Sequence, residues 1–297
     1  KMLLVELLLW CLLLISGGVI VVVATANDND NAADILSEIS SLRNLEKRIV
    51  GGSFVEDGSY PYYTFVVLHT QNGNYYAGAT LIHDDVLLMV AHSYADFGPI
   101  LPYQITGATT VTNVTDRRSP HGGEQLRQVV QWYPHPDYDP RTTVYDIMLV
   151  QLDEPIQGVP FANLVTPEQD PEAETPVTVV GMGVGAYGSK VISTALEQAE
   201  LEISNITQCM EHYNVEGAVI LVREETNICA WFEEGGKDAC GGDSGGPLIW
   251  KRSNNSDEDL QVGIVSWGDG CAKPNTPGIY TRVSAFQDWI QEGICEI

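Results

Sequence analysis

A serine set among glycines is the feature of this sequence that most directly suggests chemistry. Ser244 lies in the stretch 237–247, which reads KDACGGDSGGP. Glycines allow a tight, partly left-handed path that a Cβ would obstruct. We therefore expect an exposed Ser244 hydroxyl, with the N–H groups of Gly242 and Ser244 aimed at one point. Two converging donors stabilise the oxyanion that forms when a serine attacks a carbonyl carbon. Taken alone, such a stretch could also be a glycine-rich surface loop.

A histidine and an aspartate upstream supply what a serine nucleophile requires. A hydroxyl is a weak nucleophile at neutral pH and needs a base, which in turn needs an orienting group. His92 ends the apolar run MVAH, and Asp146 opens the apolar run DIMLV. An aspartate at the start of an apolar strand is, by itself, often only a turn residue. The order His, Asp, Ser favours a catalytic triad.

From residue 49 to about residue 294 the sequence resembles the trypsin/chymotrypsin family of serine endopeptidases. The markers are IVGG at 49–52, AHS at 91–93, DIML at 146–149, GGDSGGP at 241–247, SWG at 266–268 and PGIY at 277–280. The resemblance implies that His92 acts as base and then acid toward Ser244, and that Asp146 fixes the tautomer of His92. It also implies an oxyanion hole built from Gly242 and Ser244, and support of Asp146 by Ser266.

The fold implied by the resemblance is all-β. It consists of two six-stranded antiparallel β-barrels with the active site in the cleft between them, plus a C-terminal helix. The residues themselves predict short strands separated by turns, as at 71–74 and 135–140. The predicted strands are 62–68, 79–82, 86–90, 126–132, 147–152, 177–180, 263–267 and 279–283. A helix is predicted over 284–294, with Ser284 as its N-cap and an apolar face made of Phe286, Trp289, Ile290 and Ile294.

Substrate specificity rests on Asp238. In the family, the residue six positions before the nucleophile lies at the bottom of the primary substrate pocket, beside Ser266. Gly268 and Gly278 would form the pocket walls, and neither has a side chain to block access to the carboxylate. A buried carboxylate pairs with ammonium and, bidentately, with guanidinium groups. We therefore expect cleavage after Arg or Lys, although an aspartate in a glycine-rich loop can also be a turn former.

The chain before residue 49 divides into two predicted segments. Residues 1–26 are apolar and end in ATA, which is typical of a signal peptide, although the run is long enough for a membrane-spanning signal anchor. Residues 27–48 resemble an activation propeptide that is cut after Arg48, and 49–297 is the predicted protease domain. The new ammonium of Ile49 would pair with the carboxylate of Asp243 and order the loop that carries Ser244.

Cysteine usage indicates an oxidising, extracellular compartment. The resemblance implies two disulfides, Cys209–Cys229 and Cys240–Cys271, and leaves Cys295 without a predicted partner. Two bridges common in the family are missing, because Ala77 and Ser93 occupy one pair of positions and Val177 and Trp250 the other. Each lost bridge removes about 3 kcal/mol of constraint, so we expect a less rigid region around His92.

No cofactor and no metal is expected. The pattern GVGAYG at 183–188 matches a dinucleotide-binding motif, but the alternating strands and helices of such a site do not follow it. The net charge is −25, which excludes nucleic acid and anionic membranes as favoured partners. The expected partners are peptide and protein substrates with Arg or Lys before the scissile bond, protein inhibitors and an activating protease. Sequons at Asn113, Asn205 and Asn254 are candidate glycosylation sites.

The sequence favours a secreted, trypsin-like serine endopeptidase made as a zymogen and released from any membrane after activation. Two alternatives stay open. One is a catalytically weak homologue that works as a binding or inhibitory protein, which the bridge missing beside His92 favours. The other is a membrane-anchored protease, which the long apolar start favours.

Overall fold

The computed structural model describes residues 13–15, 18–20, 49–95, 105–252 and 258–297. The predicted signal segment, the predicted propeptide and the sequon at Asn254 lie wholly or mostly outside these residues. The chain divides into two compact units, Lys1–Glu46 and Lys47–Ile297. In the first unit, strands β1 (Leu13–Ile15) and β2 (Gly18–Ile20) pair antiparallel. Among the described residues, none of the helices has the length and apolar character needed to cross a bilayer.

The first half of the second unit is a closed, six-stranded antiparallel barrel. Its strands follow one another around the barrel in the order β4-β5-β6-β9-β8-β7. They are β4 (Tyr63–Thr70), β5 (Gly73–His83), β6 (Val86–Met89), β7 (Ile105–Thr112), β8 (Gln125–Pro134) and β9 (Met148–Leu152). Thr70 pairs with Gly73, so β4 and β5 are joined by a two-residue hairpin. The turn predicted at 71–74 is therefore too long, because Gly73 and Asn74 already belong to β5.

The second half forms another closed, six-stranded antiparallel barrel. The order is β10-β13-β14-β15-β12-β11, and a β10–β11 pairing closes it. The strands are β10 (Pro176–Gly181), β11 (Glu197–Ile203), β12 (Asn227–Trp231), β13 (Pro247–Trp250), β14 (Leu260–Trp267) and β15 (Gly278–Arg282). The short strand β3 (Ser53–Phe54) adds to the outer edge of β11. The predicted pair of six-stranded barrels is confirmed.

Two strands of the first barrel lie between two hydrophobic cores. In β6, Leu87 and Met89 pack into the core of the first barrel, whereas Val86 and Leu88 pack into the core that fills the second. Strand side chains alternate between faces, so a strand with a core on each side must be apolar throughout. The same holds for residues 147–150, which lead into β9, before the half-buried Gln151 interrupts the apolar run. These two uninterrupted apolar runs end at His92 and begin after Asp146, which places both residues at the boundary between the barrels.

The structure has few helices among its described residues. They are α1 (His92–Ala95), α2 (Ile206–Tyr213) and α3 (Gln287–Glu296), with 3₁₀ turns at Pro167–Gln169 and Val283–Phe286. The prediction that Ser284 caps the last helix is wrong. Ser284 is buried inside the preceding 3₁₀ turn, and Phe286 occupies the N-cap position without a side-chain hydrogen bond. The predicted apolar face is confirmed, because Phe286 and Ile290 are buried in the second core.

Both predicted disulfides are present. Cys209–Cys229 joins α2 to β12, and Cys240–Cys271 joins the loop before Ser244 to the loop after β14. Cys295 is an exposed free thiol.

Candidate active site

His92 directly follows the strand that separates the two cores. Its Nδ1 atom lies 2.8 Å from Oδ2 of Asp146, and its backbone N–H donates to Oδ1 of the same carboxylate at 2.8 Å. The carboxylate therefore holds both the imidazole ring and the backbone that carries it. With an acceptor at Nδ1, a neutral imidazole keeps its proton there and presents Nε2 as a base.

Asp146 is held from the second barrel. Only 2% of the residue is exposed. The hydroxyl of Ser266 on β14 donates to Oδ2 of Asp146 at 2.5 Å. The hydroxyl of Thr281 on β15 donates to the backbone carbonyl oxygen of Asp146 at 2.6 Å. A buried carboxylate is costly unless hydrogen bonds compensate its lost hydration. The structure thus brings His92, Asp146 and Ser266 together. The contact of Thr281 was not predicted, because nothing in the sequence separates this residue from any other threonine in a strand.

Aromatic packing holds α1. The ring of Tyr94 stacks on that of Trp132 on β8, with centroids 4.9 Å apart and planes inclined by 17°. Both rings pack against the core of the first barrel. Ala77 and Ser93, which replace a disulfide common in the family, are both buried. The segment that carries His92 is therefore fixed by packing and by the Asp146 carboxylate.

The loop that carries Ser244 packs closely against the first barrel. The carbonyl oxygen of Ser244 accepts the N–H of Gly78 on β5 at 2.8 Å. Gly245 has a φ of +84°, and a Cβ there would overlap the carbonyl oxygen of Gly78 and lie 3.1 Å from Cβ of Met89. Only glycine fits this approach. Because Met89 is the last residue of β6, the contact brings the Ser244 loop to the strand end that leads into His92.

The backbone at Gly242 also takes the left-handed path that the sequence predicted. Its φ is +93°, and a Cβ would lie 3.2 Å from Cα of Gly183. Across the described part of the chain, the N–H groups of Gly242 and Ser244 donate to no other protein atom. Two adjacent donors beside a serine hydroxyl are thus left for a ligand.

Asp243 points away from the site into the protein. It is fully buried, and its carboxylate accepts the N–H groups of Gly183 at 2.7 Å and Cys240 at 2.9 Å. Burial is the main cause that raises its pKa to about 7. A Cβ at Gly181 or Gly183 would overlap this carboxylate. The first glycine of the 183–188 pattern therefore leaves room for Asp243.

The Ile49 backbone nitrogen is buried beside a carboxylate that the sequence analysis did not single out. Ile49 is 0% exposed, and its N–H donates to Oε2 of Glu197 at 3.1 Å. Glu197 is itself fully buried and also accepts the hydroxyl of Ser193 at 2.8 Å. The pairing of an Ile49 ammonium with Asp243 stays a prediction. The position of Glu197 at the start of an alternating strand gave no sign of its burial.

A cavity of about 270 Å³ connects Ser244 to Asp238. Its walls include Ser266, Gly268 and Gly278. A Cβ at Gly278 would lie 3.2 Å from Oδ1 of Asp238, and a Cβ at Gly268 would lie 3.9 Å from Cα of Gly278. The two glycines therefore keep the approach to the carboxylate open. The adjacent Lys237 does not neutralise it from inside the cavity, since its ammonium lies over the ring of Phe232, 4.7 Å from the centroid.

The Asp238 carboxyl is poorly hydrated. It is 8% exposed, and its Oδ2 accepts the N–H of Ala272 at 2.9 Å. Burial raises the pKa of Asp238 to about 6, against the lowering effect of its backbone hydrogen bonds. A carboxylate in this environment gains more from a bound cation than one in water does.

This pKa predicts a specific pH dependence. Below about pH 6 the Asp238 carboxyl becomes neutral and loses its attraction for a cationic side chain. We expect kcat/KM for an Arg amide substrate to fall more steeply there than the rate of inactivation by an uncharged, serine-directed phosphonylating reagent. Inactivation requires the base at His92 and an ordered Ser244 loop, as amide hydrolysis does, but it does not require the charge of Asp238. The ratio of the two rates should approach a tenfold fall per pH unit below pH 6. Parallel profiles would contradict a cation-binding role for Asp238.

Among the residues that the structure describes, no three His, Cys, Asp or Glu side chains are grouped so that they could hold a metal ion.

Comparisons with known proteins agree with this geometry. The family model described as Trypsin matches residues 49–290. Serine protease 56 of Mus musculus is 33% identical over 258 residues, which cover 86% of this chain and 40% of that protein. Serine protease 56 of Homo sapiens is 33% identical over 250 residues, covering 82% of this chain and 38% of that protein. Suppressor of tumorigenicity 14 protein homolog of Bos taurus is 33% identical over 261 residues, covering 84% of this chain and 28% of that protein.

The chain thus spans 40% or less of the length of these relatives. The family match, by contrast, includes both barrels and every residue of the candidate site. The chain belongs to the trypsin family of serine endopeptidases.

Proposed function

We propose that this protein is a trypsin-like serine endopeptidase that hydrolyses peptide bonds after Arg or Lys and is activated by cleavage after Arg48. One observation carries the proposal. Ser244 and the largely buried Asp238 line the same cavity. The loop that carries Ser244 lies against the strand end that leads into His92, whose Nδ1 is held by the buried Asp146. Peptide and protein substrates, protein inhibitors and an activating protease are the proposed partners.

In the proposed mechanism, His92 removes the hydroxyl proton of Ser244 as the serine oxygen bonds to the substrate carbonyl carbon. The carbonyl oxygen becomes an oxyanion, which the N–H groups of Gly242 and Ser244 stabilise. His92 then gives its proton to the leaving amine, and an acyl-enzyme forms on Ser244. Water hydrolyses this ester by the same steps in reverse, with His92 again acting as base. Asp146 stabilises the imidazolium in both halves of the reaction.

The preference for Arg and Lys follows from the charge of the cavity. A cationic side chain that enters between Gly268 and Gly278 meets the Asp238 carboxylate where water is largely excluded. The Coulomb attraction is stronger there than in bulk water, and guanidinium can bond both carboxylate oxygens. Uncharged side chains gain nothing from Asp238 and leave it unpaired.

The zymogen proposal rests on buried charge. Hydrolysis after Arg48 converts the Ile49 amide nitrogen into an ammonium, and this nitrogen is already buried beside the carboxylate of Glu197. A buried ammonium and a buried carboxylate each cost free energy alone and compensate one another as a pair. Pairing with Asp243 would fix the neighbouring Gly242 and Ser244 in the arrangement that catalysis requires.

The proposed location is extracellular, after secretion. The two disulfides, one of which joins the Ser244 loop to the far wall of the cavity, require an oxidising compartment to persist. The net charge of −25 is compatible with a soluble extracellular enzyme.

The test is amidase activity on Arg and Lys chromogenic peptides before and after cutting at Arg48. We expect activity only after the cut, with N-terminal sequencing that reads IVGG. Arg48→Gln should block both the cut and the gain of activity, whereas Arg43→Gln, which removes a basic residue from the same predicted propeptide, should leave both intact. Full activity of the uncut Arg48→Gln chain would contradict the zymogen proposal.

A further inference from the structure

Glu197 is a buried carboxylate that the proposed mechanism does not use. It opens β11 and has no exposed surface. Its Oε2 accepts the N–H of Ile49 at 3.1 Å, and its Oε1 accepts the hydroxyl of Ser193 at 2.8 Å. Carboxylates are almost never fully buried unless a partner compensates for their lost hydration.

The register of the second barrel sets Glu197 beside Asp243. Gly181 on β10 pairs with Glu197, and the Asp243 carboxylate lies directly against Gly181, where a Cβ would overlap Oδ1. The two carboxylates therefore lie close enough for the charge of Glu197 to help raise the pKa of Asp243. Two like charges at this depth repel each other, and a cation placed between them would relieve the repulsion.

We propose that Glu197 and Asp243 together bind the Ile49 ammonium, so that Glu197 is a second carboxylate of the activation switch. The inference rests on the proposed cleavage after Arg48. Hydrolysis adds water across the Arg48–Ile49 amide, leaving a carboxylate on Arg48 and an ammonium on Ile49. The nitrogen that lies 3.1 Å from Glu197 changes from one N–H donor into a cation with three donors. Such a group can bond two carboxylates at once.

Arg117 is the described cation that competes with this assignment. Its half-buried guanidinium donates to the carbonyl oxygen of Ser193 at 2.6 Å, and Ser193 is the residue whose hydroxyl binds Glu197. If Arg117 were the counter-ion of Glu197, the carboxylate would stabilise the uncut and cut chains alike. If the Ile49 ammonium is the counter-ion, Glu197 stabilises only the cut chain. The two assignments therefore differ in their dependence on the cut.

The test compares Glu197→Gln with Glu202→Gln, which makes the same change at an exposed position of the same strand. Both are made in the full chain with Ser244→Ala, so that no form digests itself. Thermal unfolding is measured before and after cutting at Arg48. We expect Glu197→Gln to leave the Tm of the uncut chain unchanged or raised, since it removes one of two repelling charges, and to lower the Tm of the cut chain. Glu202→Gln should change neither.

A second readout follows the ammonium itself. Brief acetylation with acetic anhydride modifies an accessible amine, and mass spectrometry measures the modified fraction of the peptide that begins at Ile49. In the cut chain, Glu197→Gln should speed this modification by about tenfold or more, because one of the charged hydrogen bonds is lost. The rates should be equal once the chains are denatured. When Glu197→Gln is made in a chain that keeps Ser244, we expect lower amidase activity after the cut, in step with the faster acetylation of Ile49.

The results separate this inference from the zymogen proposal. An equal fall in Tm in the uncut and cut chains, or unchanged protection of Ile49, would overturn the role of Glu197 even if the cut activates the wild-type enzyme. Protection that depends on Glu197 in a cut chain without any gain of activity would support the pairing and overturn the zymogen proposal.

Discussion

Asp146→Asn is expected to lower kcat on Arg amide substrates by about 10⁴-fold at neutral pH, the loss that this substitution causes in Ser-His-Asp triads. An amide can donate to Nδ1 of His92 but cannot stabilise the imidazolium. The ring would then hold its proton on Nε2, where it can no longer accept the proton of Ser244. KM should change little, because Asp146 is 2% exposed and lies behind His92 instead of in the substrate cavity.

The matched control is Asp57→Asn, at an exposed turn on the surface. It should leave kcat and KM unchanged, and circular dichroism should show that both variants are folded. A loss of less than about tenfold in Asp146→Asn would mean that His92 does not work as the base of Ser244, and it would remove the basis for the triad.

Asp238→Asn is expected to lower kcat/KM for Arg and Lys substrates by about 10² to 10³-fold, while substrates with uncharged side chains at the same position lose little or gain. Removing one partner of a desolvated charge pair costs about 2–5 kcal/mol, and the expected loss lies in the middle of the corresponding range of about 30- to 5,000-fold. The preference for Arg should fall together with that for Lys, because both depend on the same carboxylate. Steady-state kinetics on a series of peptides that differ at this one residue measures the change.

Asp269→Asn is the control that separates the local effect of Asp238 in the cavity from the effect of the net charge of the chain. Asp269 is exposed and pairs with Lys273 at 2.9 Å, a short distance along the chain from the cavity wall at Gly268. Its removal changes the net charge by the same amount, but surface charges of this kind contribute little. If both variants lost similar activity on Arg substrates, the preference would come from the negative field of the whole chain, and Asp238 would not be its determinant.

Motifs identified most of the candidate site from the sequence because tight turns and close contacts restrict which residues fit. Gly242 and Gly245 take left-handed backbone angles, and Gly245 meets Gly78 without room for a Cβ. Because only glycine fits such positions, the glycines mark the tight turns in the sequence itself. The contact between Ser266 and Asp146 was predictable only through the family resemblance, since it joins residues 120 positions apart.

The fold was predictable where burial imposes a pattern. The apolar runs 86–91 and 147–150 are uninterrupted because each faces two cores. By contrast, β7, β11, β12 and β13 were not among the predicted strands. The Thr-rich β7 has few apolar residues, and β12 and β13 are apolar but too short to show a recognisable period. Only pairing with neighbours around a closed barrel defines them as strands.

Residues whose role depends on tertiary contacts escaped prediction. Glu197 sits in β11, where charged residues alternate with apolar ones, yet it is buried while Glu200 and Glu202 are exposed. Glu197 is buried because the chain at Ile49, 148 positions earlier, lies against it. A local sequence pattern cannot show a contact over such a distance. The error at Ser284 has a similar cause, because the 3₁₀ turn that buries this residue is fixed by packing against the second core.

The replaced disulfide positions in the second barrel are accounted for by packing. In the antiparallel pair of β10 and β13, Thr178 lies opposite Ile249. Continuing this register by one residue sets Val177 opposite Trp250. Val177 is buried, and Trp250 packs against the same core. An apolar pair thus occupies the place where the family commonly has a covalent link.

The most direct test of the central claim is covalent labelling of the cut, folded chain with an uncharged serine-directed phosphonylating reagent, followed by peptide mass spectrometry. We expect one label per chain, located on Ser244, and a loss of amidase activity in proportion to labelling. Ser244→Ala should take up no label at that peptide, whereas Ser253→Ala, which removes a serine nine positions further along the chain, should be labelled like the wild type. A correctly cut and folded chain whose Ser244 stays unlabelled would contradict the role of Ser244 as nucleophile and would favour a protease homologue that acts by binding.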